Sequence, residues 1–166
     1  MTALDSLVHI LKPWADFYSH SKGTETIVQF LHIGGLLLAG GFAIAADRTT
    51  LRALRATASE RTYAMKELAT VHRWVLTGLT IVALSGVALL TADIETFFGS
   101  WIFWTKETLV VALLINGYLI TRTERLLAKD ASERSPHWNA LRRTAVTSLG
   151  LWFTITLAGI GLVNLA

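Results

Sequence analysis

The chain contains no cysteine. That excludes disulfides, zinc thiolates, iron–sulfur clusters and thiol nucleophiles. Methionine is almost as scarce, with only Met65 besides Met1. A ladder of soft sulfur ligands for Cu(I) is therefore missing. Charge is low as well: Asp, Glu, Lys and Arg make up 16% of the chain, against roughly a quarter in soluble domains. What remains is apolar. Hydrophobic residues account for 52% of the 166 positions, and the mean hydropathy is +0.48. The length suits one domain.

Four apolar stretches run over about 26–46, 71–91, 101–121 and 144–166. Each has the roughly 20 residues needed to cross about 30 Å of hydrocarbon. Unbroken runs are not the alternating pattern of a barrel strand, and only helices or closed barrels satisfy every backbone group in lipid. The expected fold is all-α: a four-helix transmembrane bundle over 26–166, preceded by an extracytoplasmic segment over 1–25. In that segment Leu4, Leu7, Val8, Leu11 and Trp14 fall at helical spacing among polar residues. This predicts a short amphipathic helix on the membrane surface, ended or bent at Pro13. It lacks the basic start and sustained apolar core of a cleavable signal peptide.

The charges set an expected orientation. Arg48, Arg52, Arg55, Arg61, Lys66 and Arg73 cluster around the first connection. Arg122, Arg125, Lys129, Arg134, Arg142 and Arg143 cluster around the last. The middle connection, 92–100, has neither Lys nor Arg but carries Asp93 and Glu95. The positive-inside rule then puts both basic connections in the cytoplasm and both termini outside, the expected location being a bacterial inner membrane. The net charge of +3 reflects topology and contact with the lipid bilayer, not nucleic acid. Trp101 and Trp104 at one end and Trp74 at the other fit aromatic belts.

Ionisable residues within an apolar span are functional candidates by default. His32 is the seventh residue of the first span, and Lys106 and Glu107 are the sixth and seventh of the third. Both spans run inward, so these groups share a depth about 8–9 Å below the outer end. His32 shares a helix stripe with Gly35, Ala39 and Ala43. Lys106 shares one with Val110, Leu113 and Gly117, with Asn116 beside it. Small residues let helices, or a flat cofactor, approach closely. His32, Lys106, Gly35 and Asn116 are thus the candidate cofactor-binding set, and Asn164 is expected in the same layer. Plain helix packing, a His bonded to a neighbouring helix and a Lys106–Glu107 ion pair would explain the same residues without a ligand.

His72 opens the second span from the other side, about 15–20 Å from His32 along the membrane normal. One haem iron cannot take both. His9 and His20 lie on the same side as His32, and the three imidazoles could ligate Cu(II) or Zn(II). Their spacing matches no tight ligand motif.

The stretches FLHIGGLLLAGG, RWVLTGLTIVALSG, FWTKETLVVALLINGYL followed by TRTERL, and LRRTAVTSLGLWFTITLAGIGLV resemble, in that order, the four helices of copper-resistance protein D domains. The resemblance extends to the bacterial membrane protoporphyrinogen oxidase and covers roughly residues 26–166. It implies a His and a Lys near one membrane face, here His32 and Lys106. It departs from di-haem cytochromes in lacking paired histidines. Three functions follow as expectations. The first is a haem- or porphyrin-linked redox protein binding haem b near the extracytoplasmic face. The second is a copper-handling permease or accessory factor. The third is a structural subunit that works through other membrane subunits or redox partners.

Overall fold

A computed structural model describes residues 3–129 and 135–165. Among them there is no strand. The elements are α1 (Ala3–His20), α2 (Lys22–Ala53), α3 (Ala58–Ala92), α4 (Ile94–Gly99), α5 (Trp101–Lys129) and α6 (His137–Leu165). Helices α2, α3, α5 and α6 are each long and apolar enough to cross a membrane. Each also runs past the apolar stretch read from the sequence: α2 reaches Ala53, and α5 reaches Lys129. The 32 residues of α2 make about 48 Å of helix, well beyond the hydrocarbon thickness. Arg134, one of the basic residues of the last connection, lies outside the described residues.

Local chemistry sets the ends. Ser21 caps α2 by accepting from the Thr24 amide at 3.3 Å. Thr57 and Glu60 start α3: the Glu60 carboxylate accepts from the Thr57 backbone N–H at 2.8 Å. That is the reciprocal half of a capping box. Arg61 closes the turn from the other side. Its Nε donates to the Ala53 carbonyl at 3.1 Å and its Nη2 to the Leu54 carbonyl at 3.2 Å. These are carbonyls that the end of a helix leaves without partners.

Helix α2 packs along α3, α5 along α6, and α2 along α6. The tightest contact is between α2 and α3. A Cβ placed on Gly78 would lie 2.6 Å from the Ala39 nitrogen and 2.8 Å from its Cβ. A Cβ on Gly35 would meet Ile81 and Val82 at 3.0 Å. Where α2 turns toward α6, a Cβ on Gly40 would press on the Trp152 ring at 3.2 Å. The core formed by all four helices centres on Ala39, Ala43, Leu113, Trp152 and Ile155. The outward faces are no less apolar: Leu37 is 71% exposed, Phe153 68% and Val163 85%.

Two differences from the sequence reading concern one end of the molecule. Helix α1 does not stop at Pro13 but continues through it to His20. Proline costs the helix one hydrogen bond, and tertiary anchors compensate. The Trp14 indole donates to the Ala88 carbonyl of α3 at 3.1 Å, and the Tyr18 hydroxyl bonds Gln29 of α2. The middle connection also contains a helix, α4. Asp93 caps it by accepting from the Thr96 amide at 3.4 Å. Phe97, Phe98, Phe103 and Trp104 then form a ring cluster, and the Trp104 indole donates to the Phe98 carbonyl at 3.1 Å.

The α2–α3 contact makes a specific prediction. Gly78→Ala should lower thermal stability in detergent by about 1–3 kcal/mol, the usual cost of overpacking. Gly150→Ala, where a Cβ would touch nothing within 4 Å, should leave stability unchanged or raise it by up to about 1 kcal/mol through helix propensity. Equal responses would mean that α2 and α3 do not meet at Gly78.

Candidate functional site

The first polar layer lies toward the end that carries α1 and α4. His32 on α2 is half-buried, and its Nδ1 lies 3.0 Å from the Ser85 hydroxyl on α3. Ser85 has one proton to give, and the Ile81 carbonyl at 2.7 Å takes it. With that proton on the Ile81 carbonyl, the Ser85 oxygen can accept from a His32 ring protonated at Nδ1. In that tautomer the Nε2 lone pair is left for a ligand, the arrangement by which protein groups orient ligating histidines. Gly86 lies beside the ring: a Cβ there would sit at ordinary contact distance, 3.4 Å from His32.

The other candidates of this layer are mostly engaged in packing. Lys106 and Glu107 are close enough to act electrostatically on His32, so the layer read from helix rise does form. Within it, the Lys106 ammonium pairs with Glu107 at 3.3 Å; the two side chains are 19% and 42% exposed. Gly35 faces α3 and has no open space before it. Asn116 is not in this layer: it lies ten residues beyond Lys106 on α5, about 15 Å along the helix, where it is buried and its amide donates to the Thr144 carbonyl of α6 at 2.9 Å. Asn164 does not join the layer. It is exposed, and its amide turns back to the Ile160 carbonyl of its own helix. His9 is exposed on α1, and the His20 ring lies 2.7 Å from the Asp16 carbonyl. Among the described residues no three His, Asp or Glu side chains converge as a metal site, so His9, His20 and His32 are not brought together.

A second polar layer lies toward the arginine-rich end, and it draws on all four long helices. His72 of α3 is not a solitary group. Its Nε2 lies 2.6 Å from Glu124 of α5. Asp47 of α2 is 4% exposed and hydrogen-bonds Ser148 of α6, itself buried. Asp47 and Glu124 also interact electrostatically. Asp47 Oδ2 and Glu124 Oε1 are both buried without a hydrogen-bond partner among the described residues. The signal was present in the sequence. Asp47 and Glu124 stand just beyond the first and third apolar stretches, and His72 stands at the start of the second. The depth argument that joined His32 to Lys106 joins these three as well.

The two layers should respond differently to truncation. Glu124→Ala removes the partner of a half-buried imidazole and should cost about 1–3 kcal/mol in thermal unfolding. Glu107→Ala opens a pair that water already reaches and should cost less than about 1 kcal/mol. The reverse order would mean that the strained polar layer is the one around His32.

No protein-family model, no curated protein and no solved structure matches this chain.

Proposed function

We propose that the chain is an integral membrane protein that holds a haem or porphyrin through His32, near the extracytoplasmic face of a bacterial inner membrane. Insertion is supported by the outward faces of the four long helices, which expose Leu, Phe and Val along their length. A soluble monomer rarely carries a contiguous apolar patch beyond a few hundred Å². The orientation rests on the basic residues at one end. Both basic connections lie in the cytoplasm and both termini outside. On this reading the chain is a distant relative of the copper-resistance protein D and membrane protoporphyrinogen oxidase type of four-helix protein.

The observation that carries the cofactor reading is the Ser85 hydroxyl 3.0 Å from His32 Nδ1, which bonds onward to the Ile81 carbonyl at 2.7 Å and so favours a ring protonated at Nδ1. One imidazole and one ammonium of this layer would be the groups that hold the cofactor. His32 would bind through Nε2, and the nearby Lys106 would meet an acidic ring substituent. The bound group would supply one-electron redox chemistry. Ser85 would fix the ring's orientation, and Glu107 pairs with Lys106 within the chain. Gly35 and Asn116 serve the fold, holding α2 to α3 and α5 to α6. The structural-subunit reading is second. It is favoured by the same internal pairing, because Lys106, Asn116 and Gly35 are all satisfied within the chain. A copper permease is supported less, because the imidazoles stand apart and the sulfur ligands are missing.

Absorption spectra of the detergent-purified protein titrated with haemin should show a Soret band that shifts on reduction. His32→Ala should abolish it and His72→Ala should leave it within about twofold in affinity, since His72 is engaged with Glu124. Equal loss in both variants would restore a bis-histidine site. No band in the wild type would leave the structural subunit. For the topology, cysteine at Arg55 should label from the cytoplasmic side and cysteine at Asp93 from outside. The opposite pattern would invert the orientation.

A further inference from the structure

The arginine-rich end contains a cleft of about 730 Å³ between the end of α2, the start of α3 and the start of α6. Arg48, Arg52, Arg55, Arg61 and Arg142 line it, together with Trp138. Among the described residues no carboxylate lines it. Five guanidinium groups around one space repel one another, and the wall offers nothing to balance them. Leu54 and Val146 give the cleft an apolar side.

One of the five is built in place. Arg61 is anchored by the Ala53 and Leu54 carbonyls, and its guanidinium lies 5.0 Å from the centre of the Trp138 ring. Its remaining nitrogen, Nη1, is buried and has no hydrogen-bond partner among the described residues. A buried donor left unmade costs free energy, and an anion in the cleft would satisfy it. The other arginines are exposed and can close on a ligand from several sides. Guanidinium forks match phosphate oxygens in pairs.

We infer that this cleft binds a phosphate-bearing anion. A phosphate accounts for the donors, and the apolar side accounts for an attached lipid tail. Basic pockets between helices at the cytoplasmic side of membrane proteins take anionic headgroups in this way. A free phosphate compound would use the same arginines without the apolar side. The site lies at the end opposite His32 and does not depend on the cofactor reading. Only the lipid source depends on the chain residing in a membrane.

The test uses the full chain in phosphatidylcholine nanodiscs, titrated with phosphatidylglycerol or cardiolipin in one arm and with pyrophosphate in the other. Arg52→Gln with Arg142→Gln removes two exposed cleft arginines that hold no part of the fold. Arg122→Gln with Arg125→Gln removes the same charge from a separate basic patch beside Lys129. The cleft pair should weaken binding roughly tenfold or more, from about one arginine contact's worth of affinity each. The control pair should change it less than about twofold. Binding of the anionic lipids alone identifies a headgroup, and binding of pyrophosphate with equal loss in the cleft pair identifies a soluble phosphate. Equal weakening by both pairs would reduce the effect to general surface charge and overturn the proposal. So would the absence of binding in both arms.

Discussion

The close approach of α2 to α3 at Gly78 and Ala39 holds much of the rest in place. Without a side chain on Gly78, the two backbones come near enough for Ala39 to be fully buried between them. At that separation an imidazole on α2 reaches a hydroxyl on α3, which is how His32 meets Ser85. The start of α3 lies beside the end of α2 through the short connection 54–57, and there Arg61 closes on the Ala53 and Leu54 carbonyls. The small-residue contact thus positions the histidine at one end, and the turn itself fixes the arginine at the other. Small residues give helices this approach where hydrophobic burial offers little discrimination.

Between those ends the molecule separates its polar groups into layers. The His32 layer is paired across half-exposed positions. The layer of Asp47, His72, Glu124 and Ser148 is more buried, takes one residue from each long helix, and leaves two carboxylate oxygens without partners among the described residues. Such groups are costly in an apolar interior unless something engages them. The arginine cleft lies beyond this second layer and carries the opposite charge.

Much of this was legible in the sequence. Four apolar runs dictated four long helices, and helix rise placed His32 and Lys106 in one layer. The stripe through Gly35 and Ala39 correctly marked a close-contact face. The sequence did not say what that face meets, because a small-residue stripe looks the same whether a helix or a flat cofactor fills it. Ser85 was equally hidden: a serine within an apolar run gives no sign of the helix it will face. Pro13 suggested an end or a bend in α1; the helix does not end there, and Trp14 and Tyr18 anchor the part that follows it. Asp47 and Glu124 lie outside the apolar stretches and each precedes an arginine, so neither stands out as a buried charge. Their burial depends on helices that continue past the apolar runs. Capping residues such as Thr57 and Glu60 do mark where those helices begin.

The central claim is that Ser85 keeps the His32 proton on Nδ1 and so presents Nε2 as a ligand. Nitrogen NMR of the protein carrying ¹⁵N-histidine tests it directly, with the His32 signals assigned by their loss in His32→Asn. The account predicts a neutral ring protonated at Nδ1, and an Nε2 signal that alone moves when haemin is added. A ring protonated at Nε2, with Nδ1 accepting from Ser85, would contradict it and leave His32 as a bond between two helices.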